Sequence, residues 1–142
     1  MNQTLIKDIN IWTMDERDSR FFGWVLLENG KIASMGEGEP PAMPVQIDGD
    51  VVYGEGGVLT PGLIDIHSHI GLYEDGLGFE GADGNEDTDP ATPHLRALDG
   101  VNPFDRSFRE ALEAGVTAAA VSPGSANPIG GQIALLKTAG RR

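Results

Sequence analysis

The stretch that most constrains this chain is PGLIDIHSHI, residues 61–70. Leu63, Ile64 and Ile66 form an apolar, largely β-branched run, the composition expected of a strand covered on both faces. Yet two of the chain's three histidines, His67 and His69, sit at its end, together with Asp65. Side chains alternate faces along a strand with period two. That places Asp65, His67 and His69 on one face and Ile64, Ile66, Ser68 and Ile70 on the other. Two imidazoles so spaced can converge on one ion, and neutral imidazole is a common zinc ligand. Asp65, one step deeper, could fix a histidine tautomer or orient a ligand. The plain alternative is a pair of ordinary hydrogen-bonded histidines.

The flanking sequence changes character at Pro61-Gly62. Residues 1–60 read as β structure. TLIKDINIWTM alternates Leu5, Lys7, Ile9 and Ile11 against Ile6, Asp8, Asn10 and Trp12, which predicts a half-buried strand. FFGWVLLENGKIASMGEG predicts a hairpin, with strands near 22–28 and 31–35 joined by a type I′ turn at Asn29-Gly30. EPPAMP is a Pro-rich connector, and short strands follow around an Asp48-Gly49 turn. Together these predict a small antiparallel sheet or sandwich.

After the histidines comes a loop, 71–101, with five Asp and three Glu. Loops beyond roughly 12–15 residues in a compact domain tend to be functional or disordered. A helix is predicted over 103–114, with Asn102 as N-cap, Pro103 at the first helical position and Gly115 as the stop. Phe104, Phe108, Ala111 and Leu112 share its apolar face. VTAAAV, 116–121, is a short apolar strand, and IALLKT a final one. Strand 63–69, helix and strand 116–121 make a βαβ unit with parallel strands. Active sites gather at the carboxyl ends of such strands.

Composition removes several functions. The net charge of −12 disfavours nucleic acid and anionic membrane surfaces as partners. With no cysteine there is no disulfide, thiolate site or Cys nucleophile. No segment approaches the roughly 20 apolar residues of a membrane span, and no signal peptide is read at the N-terminus. A cytoplasmic protein is the resulting expectation. DGNEDTD, 83–89, has the 1-3-5 spacing of a calcium loop at Asp83, Asn85 and Asp87. It has Thr88 where the turn glycine belongs and His94 in place of the final Glu. PGSANPIGGQ, 123–132, lacks the spacing of a phosphate loop. His94 is a weak third-ligand candidate beside an exposed loop histidine.

VLTPGLIDIHSHIG resembles the metal-binding start of the amidohydrolase superfamily, through Pro61, Gly62, Leu63, Ile64, Asp65, His67 and His69. The ENGKI and IDG segments before it, and NEDTDPATPHLRALDGVNPFD and AGVTAAAVSPGSANPIGGQIALLKT after it, are similar to a bacterial subgroup related to imidazolonepropionase. The resemblance implies an α/β fold, the start of a (β/α)8 barrel preceded by a small β-sandwich segment. The domains would be residues 1–60, the sandwich segment, and 61–142, the first βαβ portion of the barrel. It implies a divalent metal, zinc foremost, on His67 and His69, with Asp65 behind them. It implies hydrolysis of non-peptide carbon-nitrogen bonds in a small, cyclic-amide-like substrate. In the barrel setting, Ser125, Asn127 and Gln132 follow a strand and could reach substrate. Arg96 could pair with a substrate carboxylate or with an acidic neighbour in its own loop.

A catalytic zinc takes about three protein ligands plus water. The family's other ligands and its proton-handling aspartate lie on later strands, so no catalytic residue is assigned within this chain. A barrel takes roughly 250 residues. The chain therefore reads as the N-terminal part of a longer amidohydrolase, inactive alone and associating with itself through open barrel-strand edges or as a homo-oligomer of the intact enzyme. The rival readings are a non-catalytic metal- or ligand-binding module and an inactive remnant.

Overall fold

The computed structural model describes residues 3–41 and 49–140. Two units are distinguished, Met1–Pro61 and Gly62–Arg142.

The first unit is organised by the Asn29-Gly30 turn. Both residues take positive φ, 51° and 76°, as a type I′ turn demands. The turn joins β2 (Arg20–Glu28) to β3 (Lys31–Glu37), in agreement with the hairpin expected. β1 (Gln3–Trp12) pairs antiparallel with the other side of β2. β4 (Gly49–Tyr53) and β5 (Val58–Leu59) then pair with β1 in parallel. The result is one mixed five-stranded sheet, where an antiparallel sheet or a sandwich was expected. Asp48 lies outside the described residues, as do Ala42, Met43 and Pro44 of the Pro-rich connector.

β1 departs from strict alternation. Lys7 pairs with Trp24 and Ile9 with Gly23, so Asp8 is an extra residue, and its φ of 57° is left-handed. Such a bulge shifts the phase of every residue beyond it. Leu5 packs with Trp24 and Leu26 on one face. Ile9 and Ile11 pack with Val25, Ile6 and Leu27 on the other. The single apolar face expected of Leu5, Ile9 and Ile11 is thus divided between the two faces of the sheet.

In the second unit, β6 (Leu63–Ser68) pairs in parallel with β7 (Val116–Val121). β8 (Ala134–Lys137) returns antiparallel on the far side of β7. Val121 is fully buried, in a core with Leu72, Ala97 and Ala119. Burying one valine contributes about 1.5–3 kcal/mol. α1 (Ala97–Gly100) supplies Ala97 to that core. α2 (Arg106–Glu113) packs against β7 and buries Phe108.

Three expectations are corrected here. β6 is the edge strand of its sheet, and α2 covers β7 instead. Leu63, Ile64 and Ile66 are therefore 58%, 66% and 82% exposed, where a strand covered on both faces was expected. The helix begins at Arg106 rather than 103. Asp105 is its N-cap, accepting from the Ser107 N–H at 2.9 Å. Asn102 instead caps a turn of its own, accepting from the Phe104 N–H at 2.9 Å. That leaves Phe104 exposed while Phe108 is buried. The stop is as expected: Gly115 has φ 89° and its N–H donates to the Leu112 carbonyl.

The acidic segment 71–101 is not a featureless loop. A 3-10 turn spans Gly78–Gly81, and Tyr73 bridges to Ala82. Its second half zips to the loop after β7: Thr92 N–H donates to Ile129, Ala97 N–H to Gln132 and Gln132 N–H to Leu95. Among the described residues, no helix is long and apolar enough to cross a membrane.

Candidate metal centre

Because β6 and β7 run parallel, their carboxyl ends lie side by side, with Ser68 opposite Val121. The ladder is irregular between Asp65 and Ser68, where three steps on β6 match two on β7. Strict period two therefore does not hold through His67. The two imidazoles nevertheless come together, with ring centroids 5.2 Å apart and planes at 84°. Two imidazoles bound to one tetrahedral ion through nitrogens at roughly 2.1 Å have centroids about 5 Å apart. The observed spacing of His67 and His69 matches that separation.

His69 is half-buried, and its Nδ1 lies 2.7 Å from the Ser122 carbonyl oxygen. A carbonyl only accepts, so Nδ1 is the donor, and in the neutral ring this leaves the lone pair on Nε2. This is the arrangement in which metal-binding histidines are usually held. Tyr73 stands edge-on to the same ring, at 5.7 Å and 82°. Neither Ser122 nor Tyr73 was singled out by the sequence. The Asp65 carboxylate accepts from the main-chain N–H of His67 at 3.1 Å, so it shapes the backbone that carries the first histidine.

Other candidates stand apart. Among the described residues no group of three or more His, Asp or Glu side chains is placed to hold an ion. His94 is exposed and adds no third imidazole, and Asp83 and Asp87 join no group of three carboxylates. Glu86 turns inward on its own loop, accepting from the Thr88 hydroxyl at 2.5 Å and its N–H at 2.6 Å. Those bonds hold its carboxyl below the ordinary carboxylate value.

Arg96 makes a two-pronged pair with Asp99, Nε to Oδ2 at 2.9 Å and Nη2 to Oδ1 at 2.6 Å. The bond lowers the pKa of Asp99 and raises that of Arg96. Asn127 donates to the Asp89 carbonyl and the Thr92 hydroxyl, and Gln132 to the Pro93 carbonyl. Asn127 and Gln132 thereby brace the two zipped loops, while the Arg96 side chain pairs within its own. Arg96 and Asn127 also line a cavity of about 290 Å³ with Asp83, Glu86 and Asp99.

No family model matches the chain. An amidohydrolase named tasK from Hapsidospora irregularis is 37% identical over 153 residues, covering 96% of this chain and 15% of that protein. The imidazolonepropionase of Streptococcus sanguinis is 44% identical over 48 residues, 34% of this chain and 11% of its own length. The crystal structure of an amidohydrolase from Thermotoga maritima MSB8 superposes with a TM-score of 0.80 at 43% identity. It is matched over 96% of this chain and 34% of that one. The homologues of this chain are thus amidohydrolases and imidazolonepropionases of the amidohydrolase superfamily, matched over part of their length.

Proposed function

We propose that this chain contributes the first part of a metal-dependent hydrolase of non-peptide carbon-nitrogen bonds, cyclic amides foremost. Residues 1–60 form its N-terminal β segment, and residues 61–142 the opening βαβ portion of a (β/α)8 barrel. The observation that carries this reading is the His67–His69 pair at a parallel-strand end, with His69 Nδ1 committed to Ser122. The relatives' names and the parallel β6–α2–β7 order support it.

His67 and His69 would hold the ion, His69 through Nε2, and imidazole donors favour zinc. A bound divalent ion would lower the pKa of a water molecule and polarise a substrate carbonyl. The chain's own groups do the holding. The Ser122 carbonyl fixes the His69 tautomer, and Asp65 sets the backbone beneath His67. Arg96, Asn127 and Gln132 lie on the loops that leave the strand ends, where they would reach substrate. Two imidazoles fall short of the three protein ligands of a catalytic zinc. The 142 residues alone therefore bind the ion weakly and do not turn over substrate.

Calorimetric titration of the purified chain with Zn2+ tests the first part, with His67→Ala and His69→Ala as controls. Binding that both substitutions abolish is expected, and binding untouched by either would overturn the site. Zinc-dependent hydrolysis of a cyclic amide by residues 1–142 alone would overturn the assignment of an incomplete centre.

A further inference from the structure

Tyr73 belongs to none of the motifs read from the sequence, yet its ring is set against His69. The phenol and the imidazole meet edge to face, and the imidazole meets His67 in the same manner, so His69 makes T-shaped contacts with two rings. One hydrogen bond to Ser122 holds a single ring atom and leaves the imidazole some freedom in χ1 and χ2. An aromatic edge on its flank removes the freedom, because edge-to-face pairs prefer a defined angle.

The phenol itself is seated. Its backbone is tied by the Tyr73–Ala82 bridge and by the Asp83 N–H donating to the Leu72 carbonyl at 2.9 Å. Its ring lies over bare backbone at Gly84, where an added Cβ would come within 2.3 Å of Cε2 and 2.4 Å of Cζ. An added Cβ at Gly124 would stand 2.8 Å from the hydroxyl oxygen and 1.8 Å from Asn85 Oδ1. The Gly124 N–H donates to the Gly84 carbonyl at 2.7 Å, closing the slot. Neither glycine has a left-handed φ, so what the slot needs is space.

We infer that Tyr73 is a positioning residue for His69. Seated over Gly84 and Gly124, it holds the imidazole plane in the orientation in which Nδ1 donates to Ser122, whose carbonyl selects the tautomer. The inference deepens the proposed metal site and rests on that reading for its zinc arm only.

The test uses the 15N-labelled chain at pH 8 without metal, reading the imidazole nitrogens of His69, followed by Zn2+ calorimetry. Wild type and Tyr73→Phe should show a single Nδ1–H tautomer. Tyr73→Leu and Gly84→Ala should show averaged nitrogens, and zinc binding about 10-fold weaker. Backbone amide spectra identify a variant that fails to fold, and the other variant then decides. Wild-type His69 nitrogens in the folded variants would overturn the positioning role, whatever zinc does. Absence of zinc binding by wild type, with the tautomer changes as expected, would overturn the metal site and leave the positioning role standing.

Discussion

The imidazole of His69, after β6, donates through Nδ1 to the carbonyl of Ser122, after β7, so one strand end fixes the tautomer of a histidine on its neighbour. An asparagine amide can reproduce a donor near Nδ1 but nothing at Nε2. His69→Asn should keep the fold and weaken zinc binding at least about 100-fold, the upper end of what losing a hydrogen-bond partner behind a ligand costs. Paired melting curves and zinc titrations check this. Wild-type affinity in the asparagine variant would remove His69 from the site.

Two Asx residues stand before α2, and only Asp105 accepts from the N–H of the helix's second residue. Asp105→Ala should cost about 1 kcal/mol in urea unfolding. Asn102→Ala, which touches only the preceding turn, should cost less. The reverse order would move the cap back to Asn102.

Acid should loosen the loop around Glu86. Its folded pKa lies below the ordinary 4.5, because the Thr88 hydroxyl and N–H bond the carboxylate. The contribution is therefore complete above that ordinary value and is lost as pH falls through the lower folded value. Amide exchange at Thr88 and Asp89, corrected for intrinsic pH dependence, should speed up across that window in wild type. In Glu86→Gln the step should vanish, and an unchanged step would assign it to another carboxylate.

Gly23 is confined by the strand beside it. An added Cβ would lie 1.9 Å from the Gly36 carbonyl oxygen, a backbone atom that cannot swing aside. Gly23→Ala should destabilise the N-terminal unit by about 1–3 kcal/mol. A thermal melt matching wild type would show that β2 and β3 separate there at little cost.

The edge of β6 and the outer face of β8 present Ile66 and Leu135, each 82% exposed. Apolar open edges promote association. We expect the isolated chain to sediment as oligomers, and Ile66→Lys with Leu135→Lys to shift it toward monomer. A monomeric wild type at high concentration would count against exposed edges as the cause.

Legibility followed the range of the interaction. The Asn29-Gly30 turn and the Gly115 stop are written in adjacent residues and were read correctly. The helix start was misplaced because Asn102 and Asp105 are both competent caps, and the choice depends on which phenylalanine is buried. The split of β1 had no local signal, since an aspartate in a left-handed conformation is merely tolerated. The histidine pair was visible as a short-range motif. Ser122, 53 residues from His69, and the Gly84–Gly124 seat of Tyr73 depend on strand register and loop closure, which no window of sequence displays.

Asp8 makes the numbering of β1 carry meaning. Were Asp8 kept but paired as an ordinary extended residue, alternation would run unbroken through the strand, and Ile9 and Ile11 would turn toward the face of Trp24. Asn10 and Trp12 would replace them against Val25. Deleting Asp8 itself should therefore leave Ile9 and Ile11 on their present face, whereas a substitution that straightens position 8 should turn them over, since the conformation of one residue sets which way the rest of the strand faces.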